Sequence, residues 1–540
     1  MLLLLVFFGL QAWPDFFHAF RGDELFCPAE AGQIAALQQC LRDGTWLAPI
    51  DSTPSLWPGF LWFAGGLSLL THGAPWTYAL AAALAFLLLL ASVWRVSRAA
   101  GYDTPTALAA GMLLLCTPLL TPLTHVFAPS ALAAALMLFS LSCLCRGWCA
   151  DSAWGALPLG FVLATLAGLT AGPLYILLPL CASTTLVFWR GTFRRACGFD
   201  AVLSFFLMLL ILGSWLGAMI LMTSGNRYVN ELFANMLRYP LPLAKGWWLP
   251  LLIALLGTLP WVVSFLFVSW GKTICKAWGN LKASRKDAAP SAFLWISLAC
   301  GILIAPAIPS GTQATAVCIA AISVPLLAKT VMRLSPLGSR MFIAVTMPCV
   351  FLAGLLLVGA YFSNTRPFVM NMLHCGHASA LLVAAASSYA LPVLGGICIL
   401  FALLLPRFWR CTNIQAFLLC SALLATLLTV PATLMLPPAL ASAPESRLCR
   451  LTDIAVPPKS MPFTSPQVSP PQTTPPSALQ PSVPPSAGLN GEATPEKPVE
   501  ASAPATPAVP ALQPKQGGAP AIPDAAAQKP VQAPKEAPKP

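Results

Sequence analysis

Long apolar runs separated by short polar turns make up most of this chain. They recur at residues 2–24, 74–95, 104–122, 129–147, 154–171, 172–190, 201–222, 247–270, 291–307, 312–330, 341–361, 389–406 and 415–436. A helix needs about 20 residues to cross a hydrocarbon core of about 30 Å, so each run spans a bilayer or nearly so. The pattern predicts an all-α polytopic membrane protein with about 13 transmembrane helices.

One further apolar stretch, Leu56 to Leu70, carries Trp57, Trp62 and three glycines. Charge decides its place, because basic residues gather in cytoplasmic loops. If the stretch does not cross, then Arg95 and Arg98, Arg146, Arg190, Arg194 and Arg195, residues 272–286, Lys329, Arg333 and Arg340, and Arg407 and Arg410 share one side with the N-terminus. If it does cross, every later basic loop faces outward. The stretch is therefore predicted as an interfacial or re-entrant helix against the outer leaflet, with the N-terminus cytoplasmic. The outer face then receives residues 21–73, including a helix from Pro28 to Leu41, residues 223–246, residues 362–388 and everything after residue 436.

Composition agrees with that class. Of 540 residues, 57% are hydrophobic and only 9% charged, which excludes an ordinary soluble domain. The net charge of +12 is spread over many short loops, so no nucleic-acid partner is expected. Most of the 17 cysteines lie inside apolar runs and read as small apolar residues. Cys27 and Cys40 flank the predicted outer helix and are open to pairing. The first apolar run lacks a basic leader and a small-residue cleavage site, so it reads as a retained helix. From residue 437 to 540, Pro, Ala, Ser, Thr, Gln and Lys dominate and aromatics almost vanish. Such a segment buries too little apolar surface to fold, so residues 1–436 are expected as the membrane domain and 437–540 as a disordered extracytoplasmic tail.

The candidate chemistry begins at Arg21-Gly22-Asp23-Glu24, directly after a first segment that holds one acid, Asp15, and one histidine, His18. Charge at a bilayer centre costs roughly 2.5–3.5 kcal/mol on insertion scales, so an acidic pair here belongs at an interface or in a cavity. Four later elements follow in order: Ala29-Glu30; Gly44-Thr45-Trp46-Leu47-Ala48-Pro49 with Trp57-Pro58-Gly59-Phe60-Leu61-Trp62; Gly168-Leu169-Thr170-Ala171-Gly172-Pro173; and Asn235-Met236-Leu237-Arg238-Tyr239 with Lys245-Gly246-Trp247-Trp248-Leu249-Pro250.

This order resembles the C-superfamily membrane glycosyltransferases, in particular the protein O-mannosyltransferases and the lipid A aminoarabinose transferases, over roughly residues 1–330. The resemblance implies transfer of a sugar from a polyprenyl-phosphate donor to lipid A, a protein or a glycan at the outer face of an inner membrane; no cofactor or metal is expected. It implies Asp23 as the base, Glu24 as its orienting or acceptor-binding partner, Arg238 as a group for the donor phosphate, and Glu30, Trp57, Asn235 and Tyr239 as cavity lining; Lys245 and Arg227, as cations on the outer face, are added as further candidates for the phosphate. Four positions depart from the family pattern. Its lysines are replaced by Trp57 and Ala171, its later histidine by Asn235, and the acid of its loop after the third crossing is missing from His125-Val126-Phe127-Ala128-Pro129-Ser130. Two other readings use the same residues: a family member that has lost catalysis and serves as a scaffold, and a transporter or flippase for a lipid-linked substrate. Almost charge-free crossings and no internal repeat argue against transport. The pair His374 and His377 has ligand-like spacing, but no acidic partner accompanies it.

Overall fold

The computed structural model describes residues 2–22, 24–47, 57–149, 155–192, 197–221, 230, 248–268, 290–304, 312–362, 388–411, 414–441, 448–451 and 454. They all belong to one compact unit, Met1–Thr464; the second unit, Ser465–Pro540, lies outside the described residues. In chain order the helices are α1 (Leu2–Arg21), α2 (Pro28–Asp43), α3 (Pro58–Leu70), α4 (Thr77–Ala99), α5 (Thr104–Cys116), α6 (Pro129–Cys149), α7 (Ala156–Ala171), α8 (Leu174–Arg190), α9 (Phe199–Leu221), α10 (Leu249–Gly257), α11 (Leu259–Val262), α12 (Pro290–Ile304), α13 (Thr312–Met332), α14 (Pro336–Phe362), α15 (Ala390–Cys411) and α16 (Ile414–Ala441).

The protein is an all-α, multi-pass membrane protein. Eight of the described helices, α1, α4, α6, α9, α13, α14, α15 and α16, are long and apolar enough to cross a membrane, and shorter apolar helices accompany them. Their outward faces are apolar: Phe199, Phe206, Leu303 and Leu356 are all exposed, as helices bathed in lipid require. Two of the expected crossings are interrupted, both by proline. The run at 104–122 stops as a helix at Cys116, because Thr117 precedes Pro118 and takes the extended backbone that such a position favours. The run at 247–270 is broken into α10, α11 and a 3-10 turn, Val263–Phe267, with Pro260 unable to continue the hydrogen-bonding of α10.

Close helix contact is set by small residues. A Cβ at Gly147 would meet Leu157 Cδ2 at 2.6 Å, and one at Gly160 would meet Leu144 at 2.8 Å, so α6 and α7 pack almost backbone to side chain. Ser140 also donates to the Gly160 carbonyl at 2.7 Å across the same seam. The first helix is fixed by polar contacts as well as by packing. Gln11 of α1 donates to Thr426 of α16 at 3.1 Å and to the Leu115 carbonyl of α5 at 3.3 Å.

Among the described residues, three of the basic side chains that the sequence places together, Arg98, Arg190 and Lys329, share an end of the bundle. Arg98 donates to the Tyr102 carbonyl at 2.8 Å, Lys329 lies 4.4 Å over the Tyr102 ring, and Arg190 donates to the Trp148 carbonyl at 2.8 Å. Tyr78, at the other end of the 23-residue helix α4, lies roughly 35 Å away at 1.5 Å per residue. That second end carries α2 and α3. With only 13 residues, about 20 Å of helix, α3 falls short of a bilayer core.

The chain after residue 436 departs from expectation at its start. Helix α16 continues through Pro437 and Pro438 to Ala441, and a short strand, β2 (Cys449–Arg450), pairs antiparallel with β1 (Leu25–Phe26). The register places Leu25 opposite Arg450 and Phe26 opposite Cys449. The boundary moves because backbone pairing across the whole length of the unit leaves no local sequence pattern.

Helix α3 meets α7 at Gly59, where a Cβ would come within 2.7 Å of Thr170 Oγ1 and 2.9 Å of the Leu169 carbonyl. Backbone on one side cannot move aside cheaply. Gly59→Ala is therefore expected to lower the melting temperature of the detergent-solubilised protein, at a cost of about 1–3 kcal/mol. Gly66→Ala, on the exposed face of the same helix with no atom within 4 Å, is expected to match or exceed wild type in the same melt.

Candidate active site

The second end of the bundle is built around one carboxylate. Helix α2 starts with Pro28 and is capped by Glu30, whose Oε2 accepts from the Cys27 backbone N–H at 2.8 Å. The other oxygen, Oε1, accepts from the backbone N–H of Phe127 at 2.8 Å. Glu30 is 8% exposed, so two charge-assisted bonds replace its water. One side chain thus ties the loop after α1 to the loop before α6.

That tie places a second pair. His125 Nδ1 lies 2.7 Å from Asp15 Oδ2, across 110 residues of sequence, with both side chains mostly enclosed. The Nε2 atom of His125 is buried and has no hydrogen-bond partner among the described residues. Around it Phe127 packs on Phe60 at 4.9 Å and on Tyr78 at 5.3 Å between ring centroids, and Tyr78 accepts from Gln38 of α2 at 3.3 Å.

Glu24 completes the cluster. Burial pushes its carboxyl up to about 8, and the charges of Asp15 and then Glu30 push in the same direction. Its Oε2 is enclosed and has no partner among the described residues. At neutral pH Glu24 therefore holds a proton and can donate a hydrogen bond. Cations stand back from the cluster: Arg21 lies over the Phe17 ring at 4.1 Å, and Arg42 is paired with Asp43 at 3.0 Å.

The other candidates from the sequence divide in two. Glu30 is structural cement for the site, and Trp57 forms its apolar flank. The Trp57 indole covers Gly172, where a Cβ would come 3.1 Å from its Nε1, and the ring lies 6.1 Å from Trp215. Gly172 has φ +107°, a conformation that suits glycine. Trp57 thus meets the residue that follows Ala171, and a small apolar cluster of Leu169, Trp215 and Met219 backs the indole. The Gly44–Trp46 element has a packing role: Trp46 covers Gly65 of α3, and its carbonyl accepts from Trp62 Nε1 at 2.7 Å. Asp23, Arg227, Asn235, Arg238, Tyr239 and Lys245 lie outside the described residues, as do His374 and His377. Among the described residues, no group of His, Cys, Asp and Glu is arranged to hold a metal. Cys27 and Cys40 are both free; Cys40 is occupied with the Thr45 carbonyl at 3.4 Å, which points its thiol away from pairing. The Asp15–His125 pair escaped the sequence reading, because Asp15 lies inside an apolar segment and His125 in a loop that lacks the family's acid.

The arrangement defines a class: a multi-pass helical membrane protein with a partly desolvated acid–imidazole cluster at one end. The chain shares its fold with ArnT from Cupriavidus metallidurans. The crystal structure of that protein bound to undecaprenyl phosphate matches with a TM-score of 0.62 at 18% identity, over 81% of this chain and 77% of ArnT. The apo structure matches with a TM-score of 0.55 at 19% identity, over 76% and 73%. No family model and no curated protein matches the chain by sequence.

The proton on Glu24 has a consequence for stability. Between pH 4.5 and about 8 the unfolded chain has released it while the folded protein keeps it, so stability falls as pH rises through that window. Glu24→Gln, which cannot ionise, is expected to flatten that slope and to melt several degrees above wild type at pH 8.5. Thermal melts of both proteins across pH 5–9 check this.

Proposed function

We propose that this protein is a membrane glycosyltransferase that moves a sugar from a polyprenyl-phosphate donor to an acceptor hydroxyl or phosphate on the outer face of an inner membrane. The observation that supports this most is the cluster of Asp15, Glu24, Glu30 and His125 at one end of a fold shared with ArnT, a protein crystallised with undecaprenyl phosphate. The transfer needs a group to take the acceptor's proton, cations to meet the charge on the departing phosphate, and a lipid-accessible wall. Asp23 is the proton acceptor that the family resemblance suggests, Glu24 a neutral donor that holds the acceptor, and Arg238, with Lys245 and Arg227, the cationic side. The partly buried Trp57, backed by the buried Leu169 and Trp215, suits the isoprenyl chain. Acceptors of three kinds fit: lipid A, a protein hydroxyl or another glycan.

One observation favours a second reading, a scaffold that binds polyprenyl phosphate without turnover. The family resemblance expects lysine at positions 57 and 171; here Trp57 is an indole that lies on Gly172, the residue after Ala171.

Purified protein in liposomes separates the two. Native mass spectrometry with undecaprenyl phosphate is expected to show retention of the lipid. With the radiolabelled lipid-linked sugar fraction of the host membrane, free undecaprenyl phosphate is expected to be released, and Arg238→Ala to lower that rate at least tenfold. Retention with no release supports the scaffold, and no retention contradicts both readings.

A further inference from the structure

The contact between Asp15 and His125 has a direction. A carboxylate can only accept, so in the neutral imidazole the hydrogen sits on Nδ1, 2.7 Å from Asp15 Oδ2, and Nε2 carries the lone pair. That lone pair is enclosed, and no described residue donates to it. The ring is also held from a second direction. Glu30 binds the backbone N–H of Phe127 at 2.8 Å, two residues further along the same loop, and Phe127 is wedged against Phe60 and Tyr78. A histidine kept only for packing would not need an anion on one nitrogen and a vacant base on the other. Base, orienting carboxylate and rigid support together are the arrangement that activates a hydroxyl.

Neighbouring acids leave this work to the imidazole. Glu30 spends both oxygens on backbone N–H groups, and Glu24 keeps its proton in its buried setting. Neither is a free base.

We propose that His125 Nε2 is the proton acceptor of the transfer reaction and that Asp15 is its positioning residue. This rests on the transferase reading above and gives the proton a destination other than Asp23. The acceptor hydroxyl gives its proton to Nε2 while its oxygen bonds to the anomeric carbon of the sugar. The bond from that carbon to the phosphate oxygen breaks, and its electron pair leaves on the polyprenyl phosphate. The products are the glycosylated acceptor, polyprenyl phosphate and an imidazolium that Asp15 stabilises until it returns its proton to water. The acceptor class that fits this chemistry is a neutral hydroxyl, of a sugar or of Ser or Thr, because a phosphate oxygen is already largely ionised at neutral pH and needs no base.

The test uses the full chain in liposomes with the radiolabelled lipid-linked sugar fraction of the host membrane, and undecaprenyl phosphate as the binding probe. His125→Ala and His125→Gln are expected to lower kcat by about 10²–10⁴ with the affinity for undecaprenyl phosphate within twofold of wild type. Added imidazole is expected to restore part of the rate to His125→Ala, a rescue that a purely structural loss would not show. Asp15→Asn is expected to lower kcat at least tenfold, and the double variant to be no slower than His125→Ala alone. A histidine variant within threefold of the wild-type kcat overturns the proposal, as does loss of activity in both variants without imidazole rescue. Wild type that binds undecaprenyl phosphate but releases none from the sugar fraction overturns the transferase reading itself. An active wild type with an active His125→Gln overturns only the role of His125.

Discussion

Two backbone N–H groups converge on the Glu30 carboxylate, and the candidate site depends on that convergence. One belongs to Cys27 at the start of α2, the other to Phe127 in the loop before α6. A buried charge is costly unless it is fully bonded, and Glu30 meets that condition through one partner three residues before it and another 97 residues after it. The cap that starts a helix therefore also joins two loops. Once they are joined, Asp15 and His125 come within hydrogen-bonding distance, and Glu24 is buried beside them, its burial first and the neighbouring acids second keeping its proton on.

The same end of the bundle has an apolar side. Trp57 lies on Gly172, a residue whose positive φ and missing side chain make room for the indole, and Trp215 completes the surface. A site with acids and an imidazole on one flank and indoles on the other suits a substrate that is part sugar and part lipid. Helices such as α9 and α14 turn large apolar side chains outward, as contact with lipid requires.

How far the sequence alone reached follows from what each signal records. Apolar length records burial in lipid, so the helical class, the short α3 and the grouping of basic residues at one end were legible before any coordinates. Prolines at 118 and 260 explain where a run that looks continuous stops being a helix. The order of short elements around Asp23, Glu30, Gly44 and Gly172 pointed to the right fold at less than 20% identity. Contacts between distant loops were not legible: Asp15 read as an isolated acid in an apolar helix, His125 as a residue in a loop missing its acid. Pairing of β1 with β2 was invisible for the same reason, since two-residue strands carry no periodicity. A role also changed: Glu30, expected as cavity lining, is the bond that holds the site together, and Trp46 supplies packing beside it.

The central claim is that lipid-linked donor and acceptor meet at the Asp15–His125–Glu24 cluster. An experimental structure of the full chain with undecaprenyl phosphate tests it most directly. Isoprenyl density is expected along Trp57, with the phosphate at the end of the bundle that holds His125 and Glu24. Phosphate density at the opposite end, beside Arg98, Arg190 and Lys329, would contradict it.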